Sequence, residues 1–315
     1  MFRIIINKTA EVGAKSVVTI GNFDGLHLGH IQLFKELNQV AKEHKYRRIA
    51  ITFEPLPLEY FLDSKKEQRL HRLSLLRDKF YILKQHNLID ELVVLHFNDS
   101  VAKLSPQGFI QNILKDKLNV EYVVVGHDFK FGHGGSGTIK DFSINNIQST
   151  IIKPFMLNNQ RVSSSIIRKI AARNELDKVA LYLGRNLQYT ARVVHGNKMG
   201  RKFGVPTINL SLGRNRPVVH GIYVANVYIS GICYNAVASV GKNPTTNSLD
   251  VYKLEAHLLD VDLDLYGKIA TVEILKFIRE ERKYDDLDTL FKQIHQDITD
   301  TRNYFMENKW TTKTQ

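Results

Sequence analysis

Cysteine is nearly absent from this chain of 315 residues, in which Cys233 is the only one. An intrachain disulfide is therefore excluded, and so is a cysteine-rich zinc site. The chain also lacks any apolar run that approaches the roughly 20 residues of a membrane-spanning helix. Its N-terminal apolar stretch is too short for a signal peptide and has no cleavage-like site. We therefore expect a cytoplasmic protein with no membrane partner.

Acidic residues are in deficit, because 32 Asp and Glu stand against 44 Lys and Arg and the formal charge is +12. Such a charge is compatible with a nucleic-acid partner. The basic residues, however, are spread along the chain and interleaved with acids, as in residues 64–69. We therefore predict a solvated surface with sites for polyanionic small molecules and no nucleic-acid partner, and we leave self-association open.

Apolar strands alternate with helical periodicity as far as residue 183. This alternation predicts an α/β domain with a parallel sheet, helices on both faces and ligands at the carboxyl ends of the strands. The predicted strands are 3–6, 16–20, 48–53, 91–97, 121–126 and 150–154. The predicted helices are 28–44, 73–85, 106–118, 164–173 and 175–183. Gly184 is a predicted helix stop, and the domain is predicted to span residues 1–184.

The remaining residues, 185–315, follow a different pattern. Strand-like segments separated by turns predict a second domain that is a small antiparallel β-barrel or sandwich. These segments are 188–194, 221–229, 234–240, 252–259 and 269–277. A terminal amphipathic helix is predicted over 286–305, with apolar side chains along one side at 287, 290, 291, 294, 298 and 304.

Two histidines and several small residues follow an early buried strand, in the segment 21–30, GNFDGLHLGH. The segment is predicted to be a turn and the opening of a helix, where backbone amides and the helix dipole receive an anion. His27 and His30 would share one helix face and could stabilise charge on a transferring phosphoryl group. Gly29 between them would let a base or a phosphate approach the backbone. Further candidate nucleotide or flavin contacts in this loop are Gly21, Phe23 and Asp24.

The pattern His-x-Gly-His after a first strand resembles the nucleotidylyltransferase superfamily. That resemblance implies attack on the α-phosphorus of a nucleoside triphosphate with expulsion of pyrophosphate. The alternative is a pair of surface histidines on a helix, which the turn signal in residues 22–25 disfavours.

Three later segments are expected to reach the same crevice. The first, 52–55, ends a predicted strand, where a site residue belongs. After an apolar strand, Asp128 can accept a hydrogen bond from a ribose or ring NH, and Phe129 can stack on an aromatic ring. Residues 163–168 open a helix with hydroxyls, free amides and an arginine, which suits β- and γ-phosphates. The candidates there are Ser163, Ser164, Ser165 and Arg168. The alternatives are core packing for the phenylalanine, N-capping for the serines and a surface charge for the arginine.

Glycines and cations dominate residues 195–204 of the second domain. They describe a flexible cationic loop that could wrap phosphates, or a glycine-rich hairpin with solvated lysines. The loop candidates are Gly196, Lys198, Gly200, Arg201, Lys202 and Gly204. Thr207 and Asn209 alternate along an extended segment, so both face one side and could bind Mg²⁺ with a nucleotide's phosphates. Glu255 could be a general base toward a hydroxyl, or an outward strand residue.

Several motifs occur in order over nearly the whole chain: GNFDGLHLGH, TFEP, VVVGHDFKFG, SSSIIRKI, GRKFGVPTIN, GIYVANV, SVGKNPT, LEAHLLD and LYGK. With these motifs the chain resembles the prokaryotic bifunctional riboflavin kinase/FMN adenylyltransferase family, also called FAD synthetases. The resemblance implies a Rossmann-like adenylyltransferase domain and a six-stranded kinase barrel. It also implies two reactions, in which ATP phosphorylates riboflavin to FMN and a second ATP adenylylates FMN to FAD with release of pyrophosphate.

The resemblance assigns roles to single residues as well. His27 and His30 would steady the ATP phosphates during adenylyl transfer. Thr207 and Asn209 would hold Mg-ATP, and Glu255 would take the proton from the ribityl 5′-hydroxyl. The stretch 241–245 would lie at the rim of the kinase site.

The chain departs from the family pattern at four places. The mildest is Ser165, which replaces the usual Thr and keeps its hydroxyl. Leu56 stands where a His often follows Thr-Phe-x-Pro, and Ile208 replaces the Ala of Pro-Thr-Ala-Asn. Residues 133–138 lack the basic residue and the Asp that commonly follow Phe-Gly. We expect the Ile208 side chain to point away from its two neighbours and to alter packing rather than metal binding.

Three other functions remain as alternatives. The first is a class I aminoacyl-tRNA synthetase, because residues 198–202 weakly resemble the Lys-Met-Ser-Lys-Ser motif of those enzymes. A non-catalytic flavin-binding protein would have one decayed half, although every residue with a chemical role is present in both halves. The third is a monofunctional adenylyltransferase for another phosphate substrate, which would use the barrel only to hold that substrate. The presence of Thr207, Asn209 and Glu255 argues against this alternative, because these residues suit a kinase.

Overall fold

The computed structural model describes residues 3–6, 14–65, 67, 70–196, 204–213, 217–242, 251–261 and 263–308. The chain divides into two compact units. The first comprises Met1–Leu70 and Lys79–Ser163, and the second comprises His71–Asp78 and Ser164–Gln315. No helix in the described ranges is long and apolar enough to cross a membrane. The functional limits 1–184 and 185–315 stay a prediction.

The first unit contains a six-stranded parallel sheet, as the alternating pattern predicts. Its strands in chain order are β1 (Arg3–Ile6), β2 (Ser16–Ile20), β3 (Arg47–Glu54), β4 (Glu91–His96), β5 (Val120–Gly126) and β6 (Gln148–Ile152). Their spatial order is β1-β4-β3-β2-β5-β6. Every residue of β2 is buried, because parallel strands in the middle of such a sheet are covered on both faces.

Helices connect these strands. They are α1 (Leu28–His44), α2 (Pro57–Ser64), α3 (Leu76–Gln85), α4 (Asp99–Ala102), α5 (Pro106–Phe109) and α6 (Ile139–Ile144), and a π-helical segment (Ile110–Lys115) continues α5. The predicted bounds of α1 are confirmed, and Phe34, Leu37, Val40 and Ala41 form its buried face. The single helix predicted over 106–118 is wrong in detail, because it changes from α to π geometry after Phe109.

The second unit contains a closed antiparallel barrel, which decides between the barrel and the sandwich. A short hairpin of β7 (Met156–Leu157) and β8 (Gln160–Arg161) in the first unit and two helices, α7 (Ser164–Ala171) and α8 (Leu176–Leu183), precede it in the chain. The barrel strands are β9 (Leu187–Val194), β10 (Ile208–Gly213), β11 (Gly221–Ile229), β12 (Ile232–Lys242), β13 (Tyr252–Leu258) and β14 (Ile269–Arg279). They close in the order β10-β13-β12-β11-β14-β9.

Burial alternates strictly along β13, where every second residue from Tyr252 to Leu258 is buried. The buried residues fill the barrel, and those between them face outward. Strand β10 follows the same alternation. It was not among the predicted strands, although residues 207–209 were expected to be extended.

The terminal helix α9 (Leu287–Glu307) begins after Asp286, whose carboxylate accepts a hydrogen bond from the Thr289 N–H at 2.7 Å. Its predicted apolar face is only partly buried, and Leu287 is exposed. The buried positions are instead Asp297 and Thr301. Asp297 forms a two-point ion pair with Arg279 of β14, at 2.9 and 2.7 Å. An ion pair therefore supplements apolar packing in attaching this helix to the barrel.

Residues 71–78 belong to the second unit although helix α3 belongs largely to the first. Asp78 is fully buried and accepts hydrogen bonds from the N–H groups of Leu75, at 2.6 Å, and of Thr190 on β9, at 2.5 Å. Burial raises the pKa of Asp78 to about 7, although these bonds and the nearby Arg185 oppose the rise. The predicted helix start at residue 73 is wrong, because Leu73–Leu75 lead into a helix that begins at Leu76.

Candidate active sites

The loop between β2 and α1 has an unusual backbone. Phe23, Gly25 and Leu26 all have positive φ, at 46°, 84° and 43°. Phe23 and Leu26 are large residues that rarely adopt this conformation, and clusters of such residues are typical of functional loops. The loop is fixed at its start, where the Gly21 N–H donates to the Ile51 carbonyl at 3.0 Å.

The two histidines lie at the N-terminus of α1, as predicted. His27 is the N-cap residue, and its Nδ1 accepts a hydrogen bond from the His30 N–H at 3.3 Å. Their rings are stacked, with centroids 3.6 Å apart. They therefore form one compact pair of imidazoles at the N-terminal end of the helix, a place suited to an anion. The three-residue spacing alone did not predict this stacking, because His27 is outside the helix.

Gly29 serves the histidine pair directly. A Cβ at this position would lie 3.2 Å from the His27 ring and 3.6 Å from Phe155 Cβ. The missing side chain thus makes room for the His27 imidazole. The expectation that Gly29 lets a base or a phosphate approach the backbone stays a prediction.

Phe23 and Asp24 are buried in this loop, at 1% and 2% exposure. The Phe23 ring packs edge-on against His30, with centroids 5.4 Å apart, and also contacts Phe34 of α1. A Cβ on Gly21 would lie 3.1 Å from the same ring. Phe23 and Gly21 therefore shape the support of His30, and their direct contact with a nucleotide stays a prediction.

Asp128 lies just beyond the carboxyl end of β5, on the surface. Its carboxylate pairs with Arg161 of β8 at 2.6 Å and lies 3.8 Å from His127 Nδ1. Partial desolvation raises the pKa of Asp128, but the hydrogen bond and charge of Arg161 outweigh it and hold the pKa below its ordinary value. The carboxylate is therefore an ionised acceptor, as binding to a ribose or ring NH would require.

Phe129 packs against other aromatic rings, as the core-packing alternative predicts. Its ring is partly buried and stacks on Phe131, at 5.7 Å between centroids, and on Phe142, at 6.3 Å. Phe131 and Phe142 are themselves stacked at 4.8 Å in the core of the first unit. Phe129 is thus the outermost ring of a three-ring stack, and its stacking on a ligand stays a prediction.

An aromatic cluster at the carboxyl ends of β3 and β4 was missed in the sequence. Phe53 and Phe97 contact each other edge-on at 5.7 Å, and Phe97 also contacts Tyr60 and Phe61 of α2. Phe61 is 47% exposed. The signal was the recurrence of aromatic residues after two strands, which matters because parallel strands place their carboxyl ends at one edge.

The serine segment is divided between the two units. Ser163 ends the first unit, whereas Ser164 and Ser165 open α7 in the second. Arg168 of α7 is half-buried, and its Nε donates to the His71 carbonyl at 2.8 Å. Arg168 is therefore more than a solvated surface charge. Its action on phosphates stays a prediction, as does that of the three serines.

The proposed kinase residues come together on the outer face of the barrel. Asn209 of β10 and Ser239 of β12 are both paired with Glu255 of β13, one on each side. Directly opposed residues in an antiparallel sheet have Cβ atoms about 5 Å apart. Residues 209, 239 and 255 are all partly exposed. We call this row of three residues the polar stripe. The term also covers the outward-facing residues next to them on β10, β12 and β13.

Thr207 and Asn209 are held by two neighbouring residues. His257 of β13 contacts the Pro206 carbonyl through Nδ1 at 2.8 Å, which fixes the backbone just before Thr207. A Cβ on Gly196 would overlap the side-chain amide of Asn209. Gly196 therefore makes room for Asn209, a tighter constraint than loop flexibility. Gly204, by contrast, has a φ of 75° and open space around it.

Two more charged contacts complete the polar stripe. Lys253 Nζ lies 2.6 Å from Glu255 Oε1, and both side chains are about one third exposed. Ser239 Oγ donates to Glu281 at 2.8 Å, and the Glu281 carboxylate occupies the space over Gly241. Neither Lys253 nor Glu281 was among the predicted site residues. The alternation of β13 indicates that Lys253 faces the same side as Glu255, whereas the approach of Glu281 depends on which segments become neighbours.

A mostly apolar cleft opens beside Thr207 at one end of the barrel. It is lined by Val193, Pro206, Thr207, Ile208, Leu258, Val261, Leu263, Leu265 and Tyr266. Such a lining with few polar groups suits a flat aromatic ligand.

Comparison with known proteins matches a family model to each half of the chain. A family model described as FAD synthetase matches residues 9–166, and one described as riboflavin kinase matches residues 183–305. A bifunctional riboflavin kinase/FMN adenylyltransferase from Buchnera aphidicola (subsp. Acyrthosiphon pisum, strain APS) is 36% identical over 96% of this chain and 98% of its own. The chain belongs to this bifunctional family. A relative of the same name from Haemophilus influenzae is 36% identical over 91% of this chain and 94% of its own.

A solved structure described as a macrolide-efflux protein from Streptococcus pneumoniae is also similar. It matches with a TM-score of 0.76 and 31% identity over 95% of this chain and 99% of its own. A crystal structure of similar fold therefore covers nearly the whole of this chain.

The departures from the family pattern have structural counterparts. Leu56 is buried and starts α2, where its N–H donates to Glu59 at 3.2 Å. Ile208 is buried and Asn209 beside it is not, which confirms that the two side chains point apart. The loop after Phe131 is held by the His133 N–H, which donates to the Leu104 carbonyl at 2.7 Å.

Part of the predicted kinase loop lies outside the described residues. This applies to Lys198, Gly200, Arg201 and Lys202, and to the stretch 243–245 of the predicted rim. Their roles stay predictions.

Proposed function

We propose that this chain makes FAD from riboflavin in two ATP-dependent steps at two separate sites. Riboflavin is phosphorylated to FMN on the barrel, and FMN is adenylylated to FAD at the histidine pair of the parallel sheet. The observation that carries this proposal is that one chain assembles both constellations, the stacked His27 and His30 and the paired Asn209 and Glu255. Each suits a different transfer of a phosphorus group.

In the kinase step, Glu255 is the general base. The ribityl 5′-oxygen forms a bond to the γ-phosphorus of ATP, the bond from that phosphorus to the β–γ bridging oxygen breaks, and ADP leaves. The hydroxyl proton passes to the Glu255 carboxylate. Catalysis rests mainly on positioning and electrostatics, as in other phosphoryl transfers.

The residues present fit a magnesium ion that arrives with ATP. Thr207 and Asn209 offer neutral oxygen ligands, and Mg²⁺ prefers oxygen ligands shared with substrate phosphates. No group of three or more His, Cys, Asp or Glu able to hold a metal occurs among the described residues. We therefore assign Thr207 and Asn209 to Mg-ATP, where the ion would neutralise phosphate charge.

The apolar cleft beside Thr207 is our candidate for the adenine of the kinase's ATP. Thr207 lines the cleft and is also a proposed ligand of Mg-ATP, so one nucleotide could occupy both places. Val193, Leu258 and Leu263 offer apolar contacts to a base. The loop candidates Gly196, Gly204 and residues 198–202 would enclose the phosphates.

In the adenylyl step, the histidine pair stabilises the transition state. An oxygen of the FMN phosphate forms a bond to the α-phosphorus of ATP, the bond from that phosphorus to the α–β bridging oxygen breaks, and pyrophosphate leaves. The imidazoles and the N-terminal end of α1 would stabilise the charge. No covalent enzyme intermediate is needed, because both steps are in-line attacks by a substrate oxygen.

The other residues of the first site would bind the two substrates. We assign Asp128 to a ribose or ring NH and Phe129 to stacking. The exposed edge of the aromatic cluster, Phe61 with Phe97, is our candidate platform for the isoalloxazine. Ser163, Ser164, Ser165 and Arg168 are assigned to the β- and γ-phosphates.

The wider expectations follow from this function. The partners are ATP, riboflavin and FMN, with no nucleic-acid partner, and self-association stays open. We also propose a cytoplasmic location, where riboflavin and ATP meet.

The test is chromatography of flavins after incubation with ATP and Mg²⁺, started in parallel from riboflavin and from FMN. We expect FMN and FAD from riboflavin, and FAD from FMN. FAD from FMN alone would leave a monofunctional adenylyltransferase, and no conversion in either reaction would favour the non-catalytic alternative. Removing Mg²⁺ with a chelator should stop both reactions.

A further inference from the structure

The Lys253–Glu255 contact is unusual for two residues of one strand. Because β13 alternates, residues 253 and 255 face the same side, yet their Cα atoms are about 6.6 Å apart. The long lysine side chain must therefore extend along the strand to place Nζ 2.6 Å from Glu255 Oε1. Both groups are about two thirds buried, so water screens this pair less than it screens an exposed pair.

The strands on either side of Lys253 favour this arrangement. Its directly paired neighbours are Ser211 on β10 and Gly241 on β12, both small. The space over Gly241 is filled by the Glu281 carboxylate, which Ser239 binds at 2.8 Å. Two carboxylates, Glu255 and Glu281, thus lie around the same serine, which is itself paired with Glu255. A cation beside them would offset their mutual repulsion.

We propose that Lys253 is a positioning residue for riboflavin phosphorylation, which holds the Glu255 carboxylate in place on the outer face of β13. This role rests on the proposed function, in which Glu255 accepts the proton of the ribityl hydroxyl. Lys253 does not itself exchange that proton. Its ammonium group fixes the carboxylate before substrates bind and offsets the charge of Glu281.

The test measures kcat and KM of the full chain with riboflavin and ATP. Lys253→Met should lower kcat about tenfold, because the carboxylate loses its fixed position, while the riboflavin KM changes less than about twofold. Lys253→Arg should restore most of the activity. Lys178→Met, which removes another lysine–glutamate pair of the second unit, should match the unmodified chain.

Adenylyl transfer from FMN shows in the same samples whether each variant is folded. A Lys253→Met variant with the kcat and KM of the unmodified chain would overturn the role of Lys253, and so would a Lys253→Arg variant as impaired as Lys253→Met. Glu255→Gln separates the two levels of inference. If it retains kinase activity, the proposed function is wrong about the base; if it loses the activity while Lys253→Met behaves normally, only the role of Lys253 fails.

Discussion

The two candidate sites of this chain are built in opposite ways. The histidine site consists of neighbouring residues in one loop, whose backbone turns through positive φ at Phe23, Gly25 and Leu26. The kinase site consists of side chains from separate strands, which register places in one row at Asn209, Glu255 and Ser239. A short motif is therefore enough to find the first site, whereas the second becomes visible only when the barrel closes.

The largest expected effect is a loss of kinase activity alone. Glu255→Gln should lower riboflavin phosphorylation by about 10² to 10⁴, the range typical of a lost general base, because the amide cannot accept the proton. FAD formation from FMN should be unchanged. Steady-state kinetics from each flavin would measure both rates, with the exposed Glu307→Gln as the control. Equal loss of both activities would contradict separate sites.

The second largest effect is the converse, a loss of adenylyl transfer alone. His30→Ala removes one of the stacked imidazoles and should lower adenylyl transfer by about 10² to 10³, as loss of one transition-state donor does. Riboflavin phosphorylation should continue, so that FMN accumulates. Pyrophosphate release from FMN and ATP would measure the loss, and the exposed His86→Ala is the matched control. Normal adenylyl transfer in His30→Ala would refute the role of the pair.

The third prediction concerns stability in the unit that contains the barrel. The pKa of Asp78 is about 7 when folded against 3.8 as a reference, so the folded state keeps a proton that the unfolded chain releases between these values. The stabilising contribution of neutral Asp78 is present below pH 3.8 and is lost as the pH rises through 7. Asp78→Asn should flatten this dependence by about 1 to 3 kcal/mol between pH 5 and 7.

Urea unfolding at both pH values, followed by circular dichroism and by kinase activity, would measure this difference. Burial also raises the pKa of Glu273, which retains its share of the dependence in both proteins. An unchanged slope in Asp78→Asn would mean that Asp78 is ionised when buried.

The smallest effect comes from one glycine at each site. Gly29→Ala would crowd the His27 ring and should lower adenylyl transfer about tenfold, whereas Gly196→Ala would displace Asn209 and should lower phosphorylation about tenfold. Each variant is the control for the other, and kcat for both reactions would be measured in both. A variant that impairs the reaction of the other site would contradict the assignment of each glycine to a single site.

Local signals in the sequence predicted much of the fold. The bounds of α1 and the end of α8 at Gly184, which has a φ of 75°, followed from periodicity and from residue types typical of helix ends. Helix α2 was missed, because Pro55 and Pro57 suggest a turn, although Pro57 is in fact its first residue. The π-helical segment after Phe109 leaves no mark in the hydrophobic pattern.

The sequence predicted each site only as far as the site is made of residues that are close together in the chain. The histidine spacing indicated the right helix end, but it missed the ring stacking, because that depends on the N-cap conformation of His27. Alternation indicated that Thr207 and Asn209 share a side, but not that Glu281 covers Gly241. That contact depends on which segments become neighbours, and residue order does not record that. The pairing of Lys253 with Glu255 was open to the same alternation argument, because the two residues are two positions apart on one strand.

Mixing two variants tests the central claim of two independent sites most directly. His30→Ala alone should convert riboflavin only to FMN, and Glu255→Gln alone should produce neither FMN nor FAD from riboflavin. Mixed in equal amounts with riboflavin, ATP and Mg²⁺, they should form FAD, because FMN made by the first variant can be adenylylated by the second. A mixture that accumulates FMN without FAD, although Glu255→Gln alone makes FAD from added FMN, would contradict this account.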